Sequence, residues 1–335
     1  MWDSLDLALA SVSFLSLREK NLLKNNLDSL DALAVLSIED ISSIVGRTVK
    51  TSVWNGRECV RLAEAAGKIM AGFGISASVH RDPDFPPMLR EMYDPPYMLF
   101  FRGNPECLNK KSVSVVGTRH VCPEAAEKTR DFCRDAALDG RLVVSGLAYG
   151  VDSWAHKGAL LACGGGASQV TAAVLPCGID SVVPYGNKKI AEAIVRNGGV
   201  LLSEYLPGIG AEPWRFVQRN RLIASLSPAT VVMQAPPGSG ALITASMALD
   251  YNRDLFFHEA CFCGPAVELS KRQAERLKAQ NTKTALNKLS HSADNYVSEG
   301  AAVIKDYKDF VLALENGRDI QIKQSQMELF DQVEN

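Results

Sequence analysis

Six short apolar segments, spaced along the middle of the chain, constrain its fold more than any other feature. They are Ser112-Val113-Ser114-Val115-Val116, Leu142-Val143-Val144-Ser145, Thr171-Ala172-Ala173-Val174-Leu175, Val200-Leu201-Leu202-Ser203, Thr230-Val231-Val232-Met233 and Leu255-Phe256-Phe257. Each is only three to five residues long, and apart from a serine or threonine most run apolar rather than alternating. A strand with one wet face alternates, whereas a strand covered on both faces does not. The stretches 123–139, 151–163, 187–197 and 240–251 lie between them and suit helices. Strand and helix in alternation predict an α/β domain, a parallel sheet with helices on both faces. Its open core is placed at about 105–265, and the domain extends to 315 with the segments that follow.

Residues 1–72 read differently, as a small helical (SAM-like) domain. Leucines such as Leu5, Leu9, Leu23 and Leu33 supply apolar faces, and Ser37-Ile38-Glu39-Asp40 has the form of a helix-start capping signal. Hairpins that grip a DNA backbone carry a G-x-G turn, but Ile44-Val45-Gly46-Arg47 has one glycine. A spacer or partner surface is therefore expected here, ahead of a DNA-binding role. Residues 73–104 hold prolines 83, 86, 87, 95 and 96 and read as a stiff, extended connector. The segment 268–288 carries six Lys and Arg against Glu268 and Glu275, with almost no large apolar residue. It reads as a solvated helix or a mobile insert, with a basic arm for DNA as the other reading. Residues 300–315 suit one more helix, and 316–335 a polar tail.

Composition sets outer limits. With 47% hydrophobic and 22% charged residues, the 335-residue chain is globular. Its formal net charge of −2 means that any nucleic-acid binding must come from a local basic patch. Eight scattered cysteines with no C-x-x-C read as reduced thiols of a cytoplasmic protein, with no metal site expected. His258, Cys261 and Cys263 lack a second ligand half for zinc. The acidic start Met1-Trp2-Asp3-Ser4-Leu5-Asp6 is unlike a signal peptide. No apolar run approaches the roughly 20 residues that cross a membrane.

Chemistry concentrates in two places. Arg215-Phe216-Val217-Gln218-Arg219-Asn220-Arg221 sets three guanidiniums and an aromatic ring directly before the apolar Leu222-Ile223-Ala224. Phosphate balances arginine, and a ring offers a stacking face for a base, so a single-stranded nucleic-acid site is one reading. An arginine-rich corner of internal ion pairs is the other. The second place is the set of strand ends: Gly117-Thr118-Arg119, Ser145-Gly146-Leu147-Ala148-Tyr149-Gly150, Cys177-Gly178-Ile179-Asp180 and Gly238-Ser239-Gly240 running on to Thr244. Glycine lets backbone approach an anion, and the following helix start turns free N–H groups toward it. The pattern meets neither the dinucleotide fingerprint nor the nucleoside-triphosphatase loop. Arg119 either projects into this crevice or pairs with a carboxylate such as Asp152. Asp152 and His156, four apart, read as structural ahead of an acid–base pair.

Taken in order, Val116-Gly117-Thr118-Arg119, Ser145 to Asp152 with Ala155-His156, Ala173 to Asp180, Ser203-Glu204, Phe216 with Arg219 to Ser227, and Ser239 to Ala245 resemble the motif series of the bacterial DNA-processing family DprA, also called Smf. Asp84 to Leu89 and Pro95 to Phe100 resemble its connector, so the likeness spans roughly 75–264. It implies an extended Rossmann-like domain, a homodimer, and a basic pocket that binds single-stranded DNA during natural transformation and loads RecA on it. It implies no cofactor and no catalytic turnover. Carried over by residue, Arg119, Arg215, Phe216, Arg219 and Arg221 are the DNA-binding candidates. Gly117, Thr118, Ser145, Gly146, Asn220, Ser239, Gly240 and Thr244 are the candidates for its anion-binding loops.

Four departures stand out. Gln234 replaces the usual acidic residue, Cys263-Gly264 replaces Pro-Gly, Cys122-Pro123-Glu124 replaces a tyrosine-glycine, and 268–288 is inserted. The loops also resemble nucleotide-processing phosphoribohydrolases, but Pro237 to Thr244 lacks their catalytic glutamate. In the tail, Gln326, Leu329 and Phe330 match the short peptide by which DNA enzymes dock on the sliding clamp, unless Leu329 and Phe330 pack back on the sheet domain.

Overall fold

A computed structural model describes residues 2–50 and 54–316. The six apolar segments form strands β3 (Ser112–Gly117), β4 (Leu142–Ser145), β5 (Thr171–Val174), β6 (Val200–Ser203), β7 (Ala229–Gln234) and β8 (Asp254–His258). Three further strands, β1 (Ser76–Val79), β2 (Met98–Gly103) and β9 (Ala302–Ile304), complete a nine-stranded sheet in the order β1-β2-β6-β5-β4-β3-β7-β8-β9. The run from β6 to β9 is parallel, while β1 and β2 join antiparallel at one edge.

Successive strand residues divide between two cores. Leu142, Val144, Val232, Leu255 and Phe257 face the helices Asn220–Ser225 and Gly240–Asp250. Val143, Val231, Met233 and Phe256 pack on the other side with Phe132, Ala155 and Phe310. Burial on both faces is why most of these segments run apolar rather than alternating.

Two expectations change. The proline-rich segment is more than an extended connector, because it supplies β1 and β2. Its prolines fall between those strands or before them, where no ladder N–H is lost. The 300–315 segment starts as β9, and its helix covers 307–316. The basic segment belongs to two helices, Gly264–Gln280 and Lys283–Ser290.

Three of the N-terminal helices begin at capping boxes: Asp3 with Asp6, Ser16 with Glu19, and Ser37 with Asp40. They do not stand apart as a spacer. Leu7, Leu9, Leu23 and Met70 share one core with Val79, Met98, Phe100 and Leu201 of the sheet. Arg81 donates to both oxygens of the buried Asp6 carboxylate (2.9 and 2.7 Å), and the Tyr97 hydroxyl donates at 2.6 Å. No described helix is long and apolar enough to cross a membrane.

Candidate nucleic-acid interface

The parallel order reverses at β3, which has β4 on one side and β7 on the other. In an open α/β sheet this switch point leaves a crevice at the carboxyl ends of the strands. A cavity of about 330 Å³ lies there. One wall is Gly117, Thr118, Arg119 and His120, from the end of β3. Another is Ser239, Gly240, Ala241 and Thr244, at the start of the helix after β7. Phe216, Arg219, Asn220 and Asp152 line the remainder.

The loop geometry follows from local sequence. The β3–β7 register shifts between Val116 and Gly117, so the chain leaves the ladder at that glycine. Gln234 holds the departing loop twice: its carbonyl accepts from Thr118 N–H (2.7 Å) and its Oε1 from Cys122 N–H (2.9 Å). The Ser239 hydroxyl caps the helix Gly240–Asp250, accepting from Ala241 N–H at 3.3 Å. Its positive dipole end opens toward the cavity. Gly150 has φ +76°, and the Thr118 carbonyl occupies the space a Cβ would need. Leu147 also has positive φ (56°), and Asn187 holds it by donating to the Leu147 and Ala148 carbonyls (2.8 and 3.1 Å).

The arginine cluster divides into exposed and buried members. Arg119 is exposed, makes no ion pair among the described residues, and stands 5.2 Å over the Phe216 ring. Arg219 is buried; its guanidinium donates to the carbonyls of Gly146 (2.6 Å) and Val174. Burial pulls it down to about 10, while Asp152 opposes the shift, so it stays charged at neutral pH. A Cβ at position 146 would collide with this guanidinium. Arg221 is buried outside the cavity, bonded to the Glu204 carboxylate and to the Asp94 carbonyl at 2.7 Å. Arg215 is half-buried, donates to the Gly210 carbonyl, and lies 4.9 Å from the Trp214 ring and 5.3 Å from Tyr205.

So the cavity gathers Gly117, Thr118, Arg119, Phe216, Arg219, Asn220, Ser239, Gly240 and Thr244. It does not gather Arg215, Arg221, Ser145 or Gly146. Ser145 is buried and donates to the Val115 carbonyl at 2.7 Å. For Arg221 the internal ion pair is what the fold contains. For Arg119 the pairing with Asp152 is absent: Asp152 is buried, accepts from Ala148 N–H at 3.3 Å, and has its carboxyl raised by burial against the Arg219 charge. His156 is fully buried on the Thr171 hydroxyl at 2.7 Å, a structural position. His120 lines the cavity without any motif marking it. The positioning role of Asn187 had no local signal either, because its partners lie 40 residues away. Gln326, Leu329 and Phe330 fall outside the described residues.

Residues 76–315 match the family model of the DNA recombination-mediator protein A. The chain belongs to that family. Protein Smf of Borreliella burgdorferi is 31% identical over 295 residues, covering 88% of this chain and 91% of the relative. The DNA processing protein DprA of Streptococcus pneumoniae is 38% identical over 175 residues, 52% of this chain and 60% of the relative. The X-ray structure of Streptococcus pneumoniae DprA superimposes with a TM-score of 0.66 at 25% identity, covering 93% of this chain and 98% of that one. DprA of Helicobacter pylori, whose structure was described for its single-stranded DNA binding mode, gives 0.56 at 26% identity over 73% and 97%. The family match begins at β1, so the DprA fold includes the β1–β2 edge.

Proposed function

We propose that this protein binds single-stranded DNA in the switch-point cavity, without turnover, as a cytoplasmic recombination mediator. The observation that carries it is the Arg119–Phe216 pair at the cavity rim. A free guanidinium takes a phosphate, the ring takes a base, and the N-terminus of the helix Gly240–Asp250 adds its positive dipole end. Arg219 adds charge in the wall itself, where Nη1 serves the Gly146 and Val174 carbonyls and Nε has no partner among the described residues. In the same reading the protein acts as a homodimer and hands the strand to RecA. Docking on the sliding clamp through Gln326, Leu329 and Phe330 remains part of the proposal.

Anisotropy of a labelled oligothymidine across a salt series tests it. Affinity should fall steeply with salt, because each neutralised phosphate releases counterions. Duplex should bind less tightly than single strand. Equal affinity for both, or release of free base from nucleoside monophosphates, would overturn this reading in favour of a nucleotide-processing enzyme.

A further inference from the structure

The two helices Gly264–Gln280 and Lys283–Ser290 carry the basic segment 268–288, and they are not attached at random. The first starts beside the β3 loop. Ala266 shares a small buried cluster with Cys122 and Ala125, and the Cys263 and Cys122 sulfurs lie 3.8 Å apart. The second ends over the opposite loop. A Cβ placed on Gly238 would meet Lys288 Cβ and Cδ at 3.3 Å and Leu277 Cδ1 at 3.5 Å, so these side chains cover the glycine next to Ser239 and Gly240. The helix pair, with the turn that starts it, thus touches both loops that form the cavity walls.

Its charge is uncommitted where it touches. Lys288 is exposed and makes no ion pair or hydrogen bond among the described residues. Its stem is fixed on Gly238 while its ammonium is in water. Lys271, Arg276, Lys278 and Lys283 are exposed and free of ion pairs as well, whereas Arg272 is spent on Glu268 at 3.0 Å. A cation anchored by its own stem beside an anion-binding loop loses little freedom on taking a phosphate.

We propose that the helix pair forms a second phosphate subsite, with Lys288 as its anchoring residue. It would hold the sugar-phosphate backbone of a single strand as it leaves the cavity across the Gly238–Gly240 loop. The subsite rests on the single-stranded DNA reading above. It extends that reading from the cavity to a track along these two helices.

The test uses the full chain and labelled oligothymidine. Lys288→Gln keeps most of the stem on Gly238 and removes only the charge, Lys288→Arg keeps the charge, and Lys68→Gln removes a free cation from the helix Gly56–Phe73. We expect Lys288→Gln to weaken binding about threefold to tenfold and to lower the slope of log affinity against log salt by about 0.7, one single-strand phosphate. Lys288→Arg should restore both, and Lys68→Gln should change neither. The deficit should shrink on oligomers too short to leave the cavity. If Lys288→Gln binds like the wild type while Arg119→Ala does not, the subsite is wrong and the cavity reading stands. If all Lys288 variants and Lys68→Gln weaken alike, the effect is general field and the subsite is also wrong. If the wild-type chain does not bind single strands at all, the cavity reading itself falls and takes the subsite with it.

Discussion

The arginines of one short segment have opposite fates, and substitution separates them. Arg221 is buried and the side chain of its partner Glu204 is nearly so, so Arg221→Ala leaves a largely buried carboxylate without its guanidinium. It should lower stability by about 3–5 kcal/mol in urea denaturation. Arg119→Ala should leave the urea midpoint unchanged and weaken oligothymidine binding. Phe216→Ala should weaken it by about 1–3 kcal/mol if a base stacks there. Unfolding of the Arg119 variant would instead make that residue structural. The buried histidines set a pH dependence. Burial lowers His156 from 6.5 to about 3 and His258 to about 4. The unfolded chain therefore takes up protons below its ordinary histidine value that the folded chain refuses. Stability is complete above pH 6.5 and falls as pH drops toward the folded values, by at most about 1.4 kcal/mol per pH unit for each histidine. Urea midpoints between pH 7.5 and 5 should decline accordingly, and His156→Gln should flatten the decline.

At the level of elements, the cavity depends on loops held by distant parts of the chain. The 146–150 loop meets the β3 loop where the Thr118 carbonyl lies against Gly150. Gly150→Ala would require both a positive φ and the space of that carbonyl. It should cost about 1–3 kcal/mol of stability and displace Thr118 and Arg119. Circular dichroism in urea and oligothymidine affinity would both register this. A variant with wild-type values in both would mean that the loop relaxes freely. Among the strands, β1 and β2 were hidden from a reading of periodicity. The prolines around them dominate the local pattern, and Met98 to Gly103 joins the sheet only through pairing with β1 on one side and β6 on the other.

Across the whole molecule, the helical domain and the sheet unfold together if their shared core is continuous. Tyr97→Phe removes one donor from the Asp6 carboxylate, leaving the two from Arg81. We expect a loss of about 1–2 kcal/mol, registered equally by Trp54 in the helical domain and Trp154 in the sheet domain. Separate transitions for the two reporters would refute a common core. The six central strands, the helices between them and the glycine-rich strand ends were all legible in the residues. Periodicity and turn chemistry are local properties, and a strand covered on both faces is apolar along most of its length. The motif order also marked the loops that meet at the switch point. Which arginines face solvent was not legible, because Arg119, Arg219 and Arg221 are the same side chain in sequence. Tertiary contact alone decided it: carbonyls from Gly146 and Val174 occupy Arg219, the Glu204 carboxylate occupies Arg221, and Arg119 is left on Phe216 at the rim. The partner that satisfies a buried charge comes from far along the chain, and only the folded sheet brings it there.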